Sequence, residues 1–111
     1  MPEAMNALGV MYEDGIGVPA NPKNSFDYFL KAAMRGEVNG RANVGRCFAL
    51  GIGTARDVVQ AYKWLKIGDA RRELTATKVL VGVVRSMTPE QIASGEKLAA
   101  EFQPLPVESK E

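Results

Sequence analysis

The glycine triplet Gly15-Ile16-Gly17 recurs 36 residues later as Gly51-Ile52-Gly53, and this repetition is the strongest structural signal in the chain. Repetition at a period of about 20 to 50 residues is typical of proteins built from stacked supersecondary units. The class of side chain is kept at the same offset, without a gap, at four pairs of positions: Leu8 and Val44, Tyr12 and Phe48, Phe26 and Tyr62, and Phe29 and Leu65. The sequence therefore predicts a repeat protein in which each unit buries its apolar side against the next.

Each unit has the residue spacing of two helices, one on either side of the glycine loop. Gly15 is expected to end the first helix in a left-handed conformation, and Asn21-Pro22 to begin the second helix. Gly36 follows the second helix and is expected to end it. The apolar side chains expected to face inward at helical spacing are Ala4, Ala7, Leu8 and Met11, followed by Phe26, Phe29, Leu30 and Ala33.

The second unit repeats this plan. Asn39 and Asp57 are its expected helix caps, and Tyr62, Trp64 and Leu65 are expected to point inward. Small residues should also recur, because a turn needs a left-handed residue and a helix crossing needs close backbone approach. The glycines expected at turns and crossings are Gly9, Gly15, Gly17, Gly36, Gly45, Gly51 and Gly53.

A further step of 36 residues reaches a degenerate third unit, in which Ser86-Met87-Thr88-Pro89 replaces the glycine loop. This step places Tyr62 on Leu98 and Lys66 on Phe102. Thr88 followed three residues later by glutamine has the sequence of a capping box, which predicts a helix start there.

We therefore predict an all-α solenoid of about six helices, in one repeat domain over residues 1–103. Its first repeat covers about 4–39, its second about 40–75, and its degenerate third about 76–103. The remaining residues, 104–111, are expected to form a flexible acidic tail.

The first repeat resembles the Sel-one-like repeat, a relative of the tetratricopeptide repeat whose module has 36 residues, the offset found in this chain. The residues that carry the resemblance are Ala4, Leu8-Gly9, Tyr12, Gly15, Gly17-Val18, Ala32-Ala33 and Gly36. The second copy departs from the pattern at Gly40, Val44 and Thr54, and ends in Gly68-Asp69 instead of the alanine pair. The resemblance implies a right-handed superhelix of antiparallel helix pairs, and a role as an adaptor that holds other proteins together.

Composition excludes several classes of function. The 111 residues carry a net charge of +1 and are 46% hydrophobic, which argues against disorder and against a cationic nucleic-acid arm. Histidine is absent, which removes Ser-His and Cys-His catalysis and histidine zinc sites. Cys47 is the single cysteine, so no internal disulfide can form. No apolar stretch is long enough to span a membrane. No export signal is visible, which favours the cytoplasm, although a truncated chain could be periplasmic or secreted.

Four short motifs offer chemistry, and each has a plainer structural interpretation. The loop from Gly15 to Ala20 matches a nucleotide-binding fingerprint but is expected to follow a helix instead of a strand. Ser94-x-x-Lys97 has the spacing of the nucleophile motif of penicillin-binding enzymes, but the companion motifs of those enzymes are missing. A cysteine-rich branch of the resembled family is associated with penicillin binding, but it depends on disulfides that this chain cannot make. Cys47 aligns with apolar positions, and Glu13-Asp14 lies at a helix end. We predict no catalytic residue, no cofactor and no metal.

In the resembled superfamily, partners bind the concave face made by the first helix of each pair. The positions that this implies are Asn6, Val10, Glu13, Asn39, Ala42, Arg46, Ala49, Lys78, Gly82 and Arg85. Residues 35–85 carry a net charge of +6, so an acidic part of a bound peptide or protein is expected to face Arg46, Lys78 and Arg85. Nucleic acid is not expected, because the aromatic residues fall at core positions.

Three alternatives stay open at this point. The face could be simply solvated, or the chain could bind a small molecule as a penicillin-binding relative would. The first helix could also leave an open N-terminal end, through which copies of the chain self-associate or pack in a longer array.

Overall fold

The computed structural model describes residues 1–69 and 74–103, and these form helices without any β-strand. The six helices are α1 (Pro2–Asp14), α2 (Pro22–Met34), α3 (Val38–Leu50), α4 (Val58–Asp69), α5 (Leu74–Val84) and α6 (Pro89–Glu101). Each of the first four packs against its successor in the chain, and α3 also packs against α5. The last helix, α6, packs against α4. The predicted all-α solenoid is thus confirmed.

The first two helix pairs repeat at the predicted offset. α1 begins at residue 2 and α3 at residue 38, while α2 begins at residue 22 and α4 at residue 58. The loops also make equivalent hydrogen bonds: the amide of Asn21 donates to the Tyr12 carbonyl at 2.8 Å, and the amide of Asp57 donates to the Phe48 carbonyl at 2.9 Å. Repetition in the sequence therefore corresponds to repetition in backbone geometry.

Both glycine loops end the preceding helix in the predicted way. Gly15 has φ +71° and Gly51 has φ +73°, which is the left-handed region that other residues avoid. The amide of Gly15 donates to the carbonyl of Met11, and the amide of Gly51 donates to the carbonyl of Cys47. The last carbonyls of α1 and α3 are thereby partly satisfied.

Three of the predicted helix caps are confirmed. Side-chain oxygens of Asn21, Asp57 and Thr88 each accept a hydrogen bond, at 3.1 Å, from an amide in the first turn of α2, α4 and α6 respectively. In the predicted capping box, the Gln91 side chain also accepts from the amide of Thr88 at 2.9 Å.

The cap predicted at Asn39 is wrong. Glu37 caps α3, because its Oε1 accepts a hydrogen bond from the amide of Gly40 at 2.8 Å. Asn39 lies inside the first turn of that helix and is exposed. A glutamate side chain is long enough to reach its third neighbour, so a capping role was available to it without the usual short side chain.

The core lies between the helix pairs and repeats with them. Phe29 and Leu65 are fully buried, and they lie over Gly9 and Gly45 respectively. A Cβ on Gly9 would lie 2.5 Å from the Phe29 ring, and a Cβ on Gly45 would lie 2.6 Å from Cγ of Leu65. The predicted close crossings of α1 with α2 and of α3 with α4 are therefore present. The other predicted inward residues that are buried are Phe26, Ala33, Tyr62 and Trp64.

The face predicted to be the inner face of α1 is open. Ala4 and Ala7 are exposed, and Leu8 is 38% exposed. The reason is positional: the described chain places α2 on one side of α1 and no helix against this face. Only Gly9 of α1 is buried.

The third unit keeps the register in its first helix and loses it in its second. α5 begins at residue 74, which is 36 residues after the start of α3. α6 begins at residue 89, only 31 residues after the start of α4, so the predicted placing of Tyr62 on Leu98 and of Lys66 on Phe102 is wrong. The five missing residues have two causes. The turn 85–88 has four residues where the other units have seven-residue glycine loops, and α5 has 11 residues where α1 and α3 have 13.

α6 consequently packs against α4 and barely touches α5 within the described residues. Gly95 allows this approach, because a Cβ there would lie 2.6 Å from the Tyr62 ring. The hydroxyl of Tyr62 donates to Glu96 at 3.1 Å, and Phe102 packs edge-on against Trp64 at 5.0 Å between ring centroids. The predicted tail, residues 104–111, lies outside the described residues, and the repeat boundaries stay a prediction.

Candidate functional site

The surface that we call the first-helix face is formed by the exposed sides of α1, α3 and α5. Its α1 and α3 parts are joined by a polar network. Arg46 donates two hydrogen bonds to Glu13, at 2.7 and 2.9 Å, and a further one to Oδ1 of Asn43 at 3.4 Å. Nδ2 of Asn43 in turn donates to Oδ1 of Asn6 at 3.1 Å. Three of the predicted binding residues, Asn6, Glu13 and Arg46, are thus held together.

The ion pair is shielded from solvent on most of its surface, since its two side chains are only 23% and 24% exposed. The hydrogen bonds that Arg46 donates to Glu13 raise the pKa of its guanidinium above the ordinary value, so the guanidinium stays charged at neutral pH. A bidentate pair of this kind fixes the orientation of both side chains. This part of the face is therefore a rigid brace between two repeats, with its charges already matched.

The other predicted binding residues of α1 and α3 differ in accessibility. Asn39 is exposed in the first turn of α3, whereas Val10 is half-buried against the core. Ala42, which was expected to look outward, is only 2% exposed and packs with Ala61 and Leu65. Position 42 is therefore a core position, because α5 and α4 both close over this side of α3.

A groove with a volume of about 320 Å³ lies between the C-terminal half of α3 and α5. We call it the α3–α5 groove. It brings together three positions that were predicted from sequence, Ala49, Lys78 and Gly82, and five that were not. Those five are Leu50, Arg56, Val79, Val83 and Ser86. Arg85, also predicted, is exposed at the end of α5 next to Ser86.

Arg56 lines the groove, although the sequence repeat does not predict it. Its Nε donates to the carbonyl of Ala49 at 3.0 Å, so the guanidinium is held at the C-terminal end of α3. A cation there is favourable, since the helix dipole is negative at that end. The equivalent residue of the first repeat is Ala20, so the repeat pattern carries no signal for it.

The residues considered for catalysis are not arranged for it. Cys47 is fully buried, and burial raises the pKa of its thiol to about 11, so the nucleophilic thiolate is scarce at neutral pH. Ser94 and Lys97 are exposed on α6, away from the α3–α5 groove. The loop from Gly15 to Ala20 follows a helix. In the part of the chain that the structure describes, no cluster of acidic residues and cysteine could hold a metal ion.

None of the described helices is both long enough and apolar enough to cross a bilayer.

This architecture is similar to that of known repeat proteins. A sequence model of the Sel1 repeat matches residues 2–37 and 39–68. Comparison with curated proteins gives no significant match. The crystal structure of a protective antigen present in uropathogenic Escherichia coli strains, which displays an SLR fold, has a TM-score of 0.88 and 24% identity, over 92% of this chain and 22% of that one.

The crystal structure of a Sel1 repeat protein from Oxalobacter formigenes has a TM-score of 0.71 and 34% identity, over 74% of this chain and 62% of that one. The chain therefore spans less than two thirds of the length of either protein. The repeat match covers more than half of the sequence and coincides with α1 to α4, the two helix pairs that repeat in the structure. On these grounds the chain belongs to the Sel1 repeat family.

Proposed function

We propose that this chain is a non-catalytic protein-interaction module that binds a peptide or protein segment on its first-helix face. Sel1 repeat proteins are generally protein-interaction modules. The observation that supports this role most directly is the α3–α5 groove, which lies open on that face and is lined by both apolar and cationic side chains. Such a mixed surface suits a polypeptide, which offers apolar side chains and charges together.

The expected charge of the bound segment depends on which cationic side chains of the face are already paired with a carboxylate of this chain. Arg46 is matched by Glu13, so a second carboxylate would have to share its guanidinium. Lys78 and Arg85 are exposed and pair with no carboxylate among the described residues. We therefore expect an acidic part of the partner to contact Lys78 and Arg85 first, with Arg46 serving mainly to fix the geometry of the face.

Charge reversal tests this function. The double substitution Lys78→Glu/Arg85→Glu should weaken capture of the native partner from the source organism's extract, and the effect should diminish in high salt. The matched control is Lys66→Glu/Lys97→Glu, which changes net charge equally at exposed positions on α4 and α6. Equal loss of the partner with both double variants would show a non-specific charge effect. Unchanged capture by the first variant would contradict binding at this face.

Self-association is a second candidate, favoured by the open face of α1. Leu8 and Met1 are 38% and 81% exposed, next to the exposed Ala4 and Ala7. A second copy could cover this apolar surface. Light scattering distinguishes the two cases: a mass that rises with concentration, and that Leu8→Lys restores to the monomer value, would support self-association. A monomer at all concentrations would contradict it.

A further inference from the structure

We propose that the α3–α5 groove binds an acidic peptide segment through one apolar anchor side chain of that segment. This inference rests on the proposed function and names the occupant of one part of the first-helix face. It is carried by three features of the groove: a gap in its wall, an apolar lining, and cations without acidic neighbours on the two helices that form it.

The gap is at Gly82. This glycine is exposed in the last turn of α5, and a Cβ built on it would meet no atom within 4 Å. It differs in this respect from Gly9, Gly45 and Gly95, each of which lies against a large side chain of a packed helix. Gly82 therefore leaves space that nothing in the described structure fills, at a position where a helix would be more stable with alanine.

The lining is partly apolar. Leu50 lines the groove at the end of α3 and is 65% exposed. On the α5 side the groove is lined by Val79, which is half-buried, and by Val83, which is buried. Apolar side chains in a concave region are typical of binding sites, because an apolar anchor that enters the region is removed from water. An aliphatic or aromatic side chain of a partner would find contacts on both walls.

The charges of the groove select an anionic partner. Neither α3 nor α5 contains an aspartate or a glutamate. Arg56 and Lys78 line the groove, and Arg85 follows directly at the end of α5. Acidic residues on either side of an apolar anchor would be attracted to these cations, whereas a basic segment would be repelled.

A nucleic acid would also be anionic, but it fits the lining less well. Sequence-tolerant binding of single strands uses aromatic side chains on which bases stack. None of the described residues that line the α3–α5 groove is aromatic. Aliphatic walls with an empty position between them favour a side chain over a base.

The test is selection from a random peptide library displayed on phage, using the wild-type chain and a groove-filled variant. Gly82→Leu places a side chain in the gap without touching the core, and Gly82→Ala serves as its matched control because it adds only a methyl group. Circular dichroism and thermal unfolding of both variants establish that the helices are intact.

We expect the wild-type chain to enrich peptides in which aspartate or glutamate flanks an apolar residue. Synthetic versions should lose at least about tenfold in affinity, measured by fluorescence anisotropy, when the apolar residue becomes serine or when the target is Gly82→Leu. Lys78→Glu/Arg85→Glu should reduce binding as well, and Lys66→Glu/Lys97→Glu should not.

Three results would overturn the proposal. Enriched peptides that bind Gly82→Leu as well as wild type would place binding elsewhere, and would leave the proposed function standing. Enriched peptides of basic character, or a single-stranded oligonucleotide that Gly82→Leu excludes, would contradict the occupant. Selection of no peptide at all would contradict both the groove and the proposed function.

Discussion

Ser25 on α2 is fully buried, and its Oγ makes no hydrogen bond with any described residue. The equivalent position of the second repeat is Ala61, which is also fully buried. A buried hydroxyl without a partner has lost its hydrogen bonds to water, which costs about 1 to 3 kcal/mol. In the second repeat, the methyl group of Ala61 fills the same packing position without a hydroxyl.

Ser25→Ala should therefore increase the free energy of unfolding by about 1 kcal/mol. Urea denaturation measures this change. The control is Ser94→Ala on the exposed surface of α6, which alters helix propensity but removes no buried hydroxyl. A loss of stability in Ser25→Ala would mean that the hydroxyl is satisfied in solution.

Cys47 gives a prediction about pH. Burial raises the pKa of its thiol from 9.0 to about 11 in the folded state. A thiol that ionises more easily in the unfolded chain favours unfolding at alkaline pH, so its contribution to stability is complete below pH 9.0 and is lost as the pH rises towards 11. The native protein should also resist alkylation by iodoacetamide at neutral pH.

Alkylation should become fast only in denaturant, and mass spectrometry of the quenched reaction measures it. Rapid modification of the native chain at neutral pH would show an accessible thiolate. That result would reopen a chemical role for Cys47.

At the scale of the helices, Gly45 and Gly82 have opposite surroundings: the first lies against a packed helix and the second against open space. Gly45 lies where α3 crosses α4, and a Cβ there would lie 2.6 Å from Leu65. Gly45→Ala should therefore destabilise the fold by about 1 to 3 kcal/mol. Gly82→Ala should stabilise it by about 0.5 to 1 kcal/mol, because the added methyl group meets open space.

Thermal unfolding of the two variants gives the comparison directly. If both glycine substitutions stabilised the protein, the close crossing of α3 and α4 would be wrong. If both destabilised it, the empty position in α5 would be wrong.

The bidentate pair between Glu13 and Arg46 ties α1 to α3, together with the hydrogen bond from Asn43 to Asn6. A double-mutant cycle with Glu13→Gln and Arg46→Gln should give a coupling energy of about 1 kcal/mol, at the upper end for exposed pairs. The value should decrease in high salt, because part of the pair is solvated. A coupling energy of zero at low salt would show that the pair does not brace the two repeats.

Helix positions in the first two repeats could be predicted from sequence because glycine and cap residues recur there. The start of α6 could also be predicted, from Thr88 and Gln91. Its alignment with α4 could not, since a constant period carries no information about a shortened turn. Gly95 is the sequence feature that could have indicated the packing of α6 against α4, because a glycine inside a helix often marks a close approach of another helix.

The candidate site was less predictable than the fold. The positions that the family resemblance implies include Lys78 and Gly82, which line the groove; their role in binding stays a prediction. They did not indicate that Arg46 is already paired with Glu13, because the contact joins side chains 33 positions apart on two different helices. Arg56 and Leu50 lie outside the repeat pattern, so only the packed structure brings them to the groove.

At the scale of the whole molecule, the stack of helices has two layers with different chemistry. The first helices carry the polar brace, the α3–α5 groove and its cations. The second helices carry the aromatic packing of Tyr62 and Trp64 that holds α6 in place. The proposed binding surface and this aromatic packing therefore lie on different layers, as expected when a repeat protein presents one face to its partners.

Mapping a bound segment by NMR tests this division most directly. Amide shifts of the isotope-labelled chain would be recorded while a selected peptide, or the captured partner segment, is added. We predict that the largest changes fall on α3 and α5, around Leu50, Lys78 and Gly82, and that α2, α4 and α6 change little. Changes concentrated on α2, α4 or α6 would contradict binding at the first-helix face.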